Sequence, residues 1–206
     1  MLNNILNFEI FIRGGVMMAP LSIMAIVALA ITIDKLWFIK KFTKLPKAIT
    51  RNLEANHLEL DGLSNFAQRL PINHCYKDFL LCLKKYHKNQ INILENSLIY
   101  QAKKFEKKFN NNLWILETII TSAPLLGLLG TIFGMSQAFK IIGENTINST
   151  QGITAGVAES LIATAFGLII AVWALFAYNY FSKIQSQILD DMEILGAKII
   201  DSLRSH

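Results

Sequence analysis

Between Asn145 and Ser182 the only charged residue is Glu159. A carboxyl group in so apolar a run can change charge where charge is expensive. Inserting a charge at the centre of a bilayer costs about 2.5–3.5 kcal/mol, which makes such a residue a functional candidate from the outset. The competing reading is positional: Glu159 falls a turn or two from the end of its apolar run, near enough to reach a headgroup layer. Two threonines pose a different chemistry. Thr131 sits near the middle of the uncharged stretch "APLLGLLGTIFGMSQAF", and Thr164 lies inside "GITAGVAESLIATAFGL". A threonine hydroxyl does not titrate near neutral pH, but it donates and accepts hydrogen bonds. It can therefore hold water or a carboxyl group without itself storing a charge. The two cysteines, Cys75 and Cys82, match no metal-binding spacing, and no histidine is set to join them. There is no nucleophile–base pair, phosphate loop or nucleic-acid motif. The sequence therefore predicts no enzyme, cofactor, metal or nucleic-acid partner.

The elements that must position these groups are apolar helices. The chain has 206 residues, 52% of them hydrophobic. No charge occurs from Gly14 to Ile33 or from Thr118 to Phe139, and only Glu159 from Asn145 to Ser182. Each stretch is long enough to cross a hydrocarbon core of about 30 Å as a helix. A chain this short could hardly bury three all-round apolar helices in a soluble bundle. An all-α integral membrane protein with three transmembrane helices is expected. The first span is not expected to be a cleaved signal peptide, because only Arg13 precedes it and the cluster Lys35, Lys40, Lys41, Lys44 and Lys47 follows. Of the 20 Lys and Arg residues, all but Arg13 and Lys140 fall in segments placed inside. The positive-inside rule then sets the N-terminus out and the C-terminus in.

The expected organisation is an outside amphipathic lead at 1–13, a first span at 14–39 and an inside helical domain at 40–112. A second span at 113–139, an outside loop at 140–152, a third span at 153–181 and an inside helical tail at 182–206 complete it. Within the inside domain, residues 46–74 contain Pro46, Gly62 and Pro71 and read as short helices and turns. Phe79, Leu83 and Tyr86 then share a face. Ile91, Leu94, Leu98, Ala102, Phe105, Phe109 and Leu113 step by three or four, which predicts a long helix running straight into span two. In the tail, Ile184, Ile188, Met192, Leu195, Ile199 and Leu203 extend the third helix well past the membrane.

Spans two and three share a design. Ile120, Pro124, Gly127, Thr131, Gly134 and Ala138 fall on one side of the second, and Gly156, Ser160, Thr164, Gly167, Ala171 and Ala174 on one side of the third. Small faces let helices approach closely, since lipid supplies no hydrophobic drive for association. Plain packing is one account of both faces, and threonine and serine in such helices often bond back to their own carbonyls. The other account is that two threonine-bearing faces per subunit line a narrow lumen. Glu159 and Thr164 are five residues apart, about 140° around an ideal helix axis, so they need not face the same lumen.

These motifs, followed by "AYNYF", closely resemble those of the ExbB/TolQ/MotA proton-channel family, nearest the ExbB and TolQ branch. The resemblance covers residues of about 117–183, and the three-span layout fits the rest. It implies a homo-oligomeric ring, a pentamer, in a bacterial inner membrane, with the N-terminus periplasmic and the long helices extending into the cytoplasm. It implies a single-span ExbD- or TolR-like partner carrying a membrane aspartate, and a TonB-like protein driven by the proton motive force. It maps pore-lining positions onto Thr131 and Thr164 and the family's membrane glutamate onto Glu159, and Ser160 beside it is expected on the same proton path. Pro124, Gly127, Gly134, Gly156, Gly167 and Ala171 become the helix-packing face. The expected function is a proton-channel subunit energising TonB-dependent outer-membrane transport, with a TolQ-type role in envelope integrity or a purely structural scaffold as alternatives. In one respect the chain departs from the family pattern. Before the "YN" pair it reads "AVWALFAYN", with Trp173 and no proline, so no kink carries over.

Overall fold

The computed structural model describes residues 15–42, 67–68, 70–71, 74–85, 91–144 and 149–204. Among these, all regular structure is helical. In chain order the helices are α1 (Met18–Phe42), α2 (Lys77–Lys85), α3 (Ile91–Asn110), α4 (Leu113–Glu144) and α5 (Ser149–Arg204). Three of them, α1, α4 and α5, are long and apolar enough to cross a membrane. The lead at 1–13, most of the 46–74 stretch and the side chain of Glu159 lie outside the described residues.

Two compact units share these helices, one from Met1–Thr32 with Asn112–Asn179 and the other from Ile33–Asn111 with Tyr180–His206. The first holds the apolar part of α1, all of α4 and the N-terminal half of α5. Its outward side chains are those of a lipid-facing protein: Ile23, Ile26, Leu125, Ile132, Leu161, Ile169 and Phe176 are all more than half exposed. Polar residues do not cover this surface, so the unit needs an apolar surrounding or further protein against it. Helix α4 runs through Pro124 without ending. Membrane helices tolerate such a proline because neighbouring groups and local adjustment satisfy the freed carbonyl. Helix α5, with no proline, is continuous over 56 residues.

The second unit packs α2 and α3 against the C-terminal part of α5. The predicted stripe on α3 is the one buried, with Leu94, Leu98, Phe105 and Phe109 at 7% exposure or less. Ile188, Met192, Leu195 and Ile199 of α5 and Phe79 and Leu80 of α2 complete this core. Tyr76 is fully enclosed and its hydroxyl donates to Asp191 at 3.3 Å. Burial is the main influence raising the tyrosine's pKa, with Cys75 and Asp191 adding to it. The Lys104–Asp78 pair at 3.0 Å is more than half exposed on both sides and contributes little to stability.

The expectation that the long inside helix continues straight into span two is corrected. Helix α3 stops at Asn110, residues 111–112 form a turn, and Asn112 takes φ 72°. Asparagine is among the few residues that enter the left-handed region at modest cost, and here three stand in a row, Asn110 to Asn112. A new helix then starts, with the Ile115 amide donating to the Asn112 carbonyl at 3.2 Å. The broken end of α3 is closed by Lys35 of α1, whose ammonium donates to the Phe109 carbonyl at 2.6 Å and lies 5.0 Å from the Phe109 ring centre. A cation at a helix C-terminus meets orphan carbonyls and the negative end of the helix dipole. Lys35 is only 6% exposed. A residue that reads as one more member of a basic cluster is therefore a buried cap.

Candidate functional site

Helices α4 and α5 run antiparallel in the first unit and meet along a ladder of small residues. A methyl placed on Gly167 would lie 2.5 Å from the Ala123 carbonyl oxygen, and one on Gly127 would lie 2.9 Å from the Thr164 Cα. On Gly130 it would lie 2.7 Å from the Ala163 Cβ, and on Gly134, 2.8 Å from the Ser160 Cβ. At the far end, Gly156 leaves 3.0 Å to the Ala138 Cβ. Glycine is required here by close backbone approach. No positive φ is involved, since all these residues lie within helices.

The buried line on α4 is Leu116, Ile119, Ala123, Gly127, Gly130 and Ala138, with Gly134 half-buried. It shares Gly127, Gly134 and Ala138 with the face read from sequence. Elsewhere it is offset by one position, so that Pro124 and Thr131 stand half-buried on its shoulder. On α5 the line is Ser160, Ala163, Gly167, Ile170, Ala171 and Ala174, with Gly156 and Thr164 half-buried beside it. Ala123, Gly130 and Ala163 lie outside the faces expected from sequence. Their signal was the regular three–four spacing, which a neighbouring phase of small residues mimicked.

The hydroxyls are tied to backbone. Thr164 Oγ1 crosses the seam and donates to the Gly127 carbonyl at 2.8 Å. Thr131 Oγ1 donates within α4 to Leu128 at 2.7 Å, and Ser160, only 3% exposed, donates to Val157 at 2.7 Å. Thr131 and Thr164 do not bond each other. They meet through Gly127, whose carbonyl also accepts the amide of residue 131 in a regular helix. Glu159 lies in α5 beside Ser160, and the direction of its side chain is outside the described residues. Helix α1 and the residue before it also lie against α4, with Met17 Cβ 3.5 Å from a methyl on Gly130 and the Ser122 hydroxyl 3.9 Å from Met24 Sδ.

Away from the seam, a groove of about 450 Å³ in the second unit is lined by Phe79, Leu98, Met192 and Ile200 and rimmed by Glu95, Lys103, Glu106 and Glu193. Neither cysteine forms a disulfide, and burial pushes the Cys75 thiol up to about 12. Such a thiol is protonated and inert at neutral pH. Among the described residues, no three His, Cys, Asp or Glu side chains gather as a metal site would require.

Comparison with known proteins places this geometry in context. The model of the MotA/TolQ/ExbB proton channel family matches residues 71–194, which takes in the whole seam. The chain is 29% identical over 197 residues to a putative biopolymer transport protein ExbB-like 1 of Synechocystis, covering 92% of this chain and 76% of that protein. It is 41% identical over 92 residues to the biopolymer transport protein ExbB of Aquifex aeolicus, covering 44% of this chain and 62% of that one. With the ExbB of Xanthomonas campestris it shares 39% identity over 94 residues, 46% of this chain and 37% of that protein.

Proposed function

Because the chain belongs to the MotA/TolQ/ExbB proton channel family, we propose that it is a proton-channel subunit serving biopolymer transport, of the ExbB type, in a bacterial inner membrane. In this reading five copies form a ring around the single span of an ExbD-like partner, whose membrane carboxyl carries the proton past the α4–α5 seam. The N-terminus lies in the periplasm, and α2, α3 and the end of α5 in the cytoplasm. The motion that results acts on a TonB-like protein. The chain does no covalent chemistry; it provides the uncharged, hydroxyl-bearing wall.

One observation carries this reading. Along the α4–α5 seam, Thr164 is anchored on Gly127 and Thr131 stands about one helical turn along α4. Neither hydroxyl can carry a proton away, so the titrating group must be Glu159 or belong to another chain. The energy scale fits a multi-proton motor, since one charge crossing 100 mV yields about 2.3 kcal/mol. The anchoring bond also favours a second reading, in which the seam only packs.

Proton flux separates the two. The chain is purified with its single-span partner, reconstituted in vesicles and given a pH gradient. The channel reading expects influx in the wild-type complex and its loss in the Thr131→Val, Thr164→Val double variant with the ring still assembled. A double variant that conducts normally would leave the packing role alone. In cells, loss of energised outer-membrane uptake supports the TonB-type role. Envelope leakage with uptake intact supports the TolQ type.

A further inference from the structure

Where α1 runs out of its apolar stretch, two neighbouring aromatic side chains meet different surroundings. Phe38 packs edge-on against Phe109 of α3, with ring centres 6.2 Å apart. Trp37 is more than half exposed, and the Lys41 ammonium lies 4.6 Å from its ring centre. Lys35, one turn back, closes the end of α3 through the Phe109 carbonyl. The ends of α1 and α3 therefore form one pinned corner of the second unit. Lysine crowds this corner. Lys40 and Lys41 lie within about one helical turn of Phe38, and Lys107 and Lys108 within about one turn of Phe109. All four are exposed. Over 33–42 and 103–110 the sequence sets only Asp34 and Glu106 against seven lysines, Lys103 and Lys104 included. Lys104 is taken by Asp78 at 3.0 Å, and Lys35 by its cap. Among the described residues, no carboxylate pairs with Lys40, Lys107 or Lys108.

We propose that this corner binds the headgroup of an anionic phospholipid, with Lys40, Lys41, Lys107 and Lys108 drawn to its phosphate and Trp37 against its glycerol and upper acyl chain. The occupant is a lipid because of where the cations stand. No charge occurs from Gly14 to Ile33, and the membrane-length stretch of α1 ends at Lys41. Tryptophan at the end of such a span sits at headgroup level, its ring in the apolar boundary and its N–H toward water. Ile33 and Trp37, four residues apart on one side of α1, are both more than half exposed, so acyl chains run up to the indole. An ammonium held over that ring is held near the depth of the phosphates. Each lysine near an anionic leaflet is worth about fivefold in affinity. A zwitterionic headgroup gains less, because its own ammonium group is repelled. A lipid bound here holds the ends of α1 and α3 in the headgroup layer. The site rests on the membrane spans and not on proton conduction, so it stands whether the α4–α5 seam conducts or only packs.

The test is native mass spectrometry of the full chain in mild detergent, titrated with equal amounts of phosphatidylglycerol and phosphatidylcholine of identical acyl chains. The wild-type protein should retain phosphatidylglycerol over phosphatidylcholine by at least about tenfold. Lys40→Gln, Lys41→Gln, Lys107→Gln and Lys108→Gln should each lower that preference about fivefold. Their side chains are exposed, so the fold is not at stake. Trp37→Leu, which takes the ring from under Lys41, should lower it too. Lys198→Gln removes the same charge from α5, outside both stretches, and should leave the preference as it is. Equal retention of the two lipids by the wild type overturns the site. A preference that Lys198→Gln lowers as far as the other four variants do also overturns it, since net charge alone would then be acting. Excess inorganic phosphate should leave the bound lipid in place. If phosphate strips it, the corner takes a free anion and the lipid assignment falls.

Discussion

The hydroxyl of Thr164 on α5 donates to the backbone carbonyl of Gly127 on α4 at 2.8 Å. The bond exists because Gly127 has no side chain: a methyl there would stand 2.9 Å from the Thr164 Cα and 3.1 Å from the Ala163 oxygen. Backbone cannot swing aside as a side chain can, so close approach, hydroxyl anchor and helix register are one arrangement.

Gly127→Ala and Gly167→Ala should each force α4 and α5 apart. Overpacking of a tight contact costs about 1–3 kcal/mol. The measurement is thermal unfolding of the detergent-purified protein, with both variants expected to melt below wild type. Gly196→Ala is the contrast, since its methyl would meet Phe79 at 3.6 Å and Leu98 at 3.8 Å, ordinary packing distances. Replacing a mid-helix glycine by alanine gains up to about 1 kcal/mol of helix propensity. That variant should be as stable as wild type or more so.

Thr164→Val keeps the volume and removes the anchor. Losing one hydrogen bond of this kind costs about 1 kcal/mol, a modest loss that leaves the fold standing. On the channel reading, proton flux in reconstituted vesicles should nevertheless fall, because a hydroxyl assigned to the proton path is gone. Thr164→Ser should retain both the bond and the flux. A serine variant as inactive as the valine variant would count against the hydroxyl as the active feature.

Lys35→Met should loosen the end of α3 without disturbing the apolar packing around it. A hydrogen bond from a charged group at a helix C-terminus is worth about 1–2 kcal/mol in partly buried settings. Amide hydrogen exchange should therefore speed up at Lys107–Asn111 and stay unchanged around Leu94–Leu98. Uniform protection along α3 in the variant would show that Lys35 does not cap it.

Cys75 should resist iodoacetamide at pH 8 in the folded protein and react once the chain is unfolded. Its folded pKa is pushed up to about 12 by burial, against an ordinary thiol value of about 8.5. The sign follows from proton counting. Between those two values the unfolded chain has lost this proton and the folded chain has kept it. The thiol's contribution is thus fully present below about 8.5 and is lost as the pH rises towards about 12. Stability measured by denaturant titration should fall over that window, and Cys75→Ala should flatten the fall.

Much of this molecule is legible in its residues because a bilayer imposes a coarse and severe rule. Uncharged runs of sufficient length must be helices, so the three long apolar helices follow from where charge is missing. The stripe from Leu94 to Phe109 was equally plain, since three–four spacing has one physical meaning in a half-buried helix. Lys35 was not plain, because a lysine in a basic cluster has the same spelling whether it faces headgroups or caps a helix. The break at Asn110–Asn112 is hidden in the sequence for a related reason. Asparagine permits the left-handed turn without demanding it, and the apolar spacing continues across it to Leu113.

By itself, then, the sequence determined the all-helical membrane character, the small-residue design of α4 and α5, and the two threonines as their central polar groups. Only the tertiary structure decided the phase in which those helices meet. Two adjacent faces of α4 carry small residues, and periodicity alone cannot rank them. Packing against α5 selects the line through Ala123, Gly127 and Gly130, leaves Thr131 on the shoulder, and turns the proton of Thr164 onto the Gly127 carbonyl. A hydroxyl's direction of donation depends on which acceptor lies within about 3 Å, and that is a property of the seam.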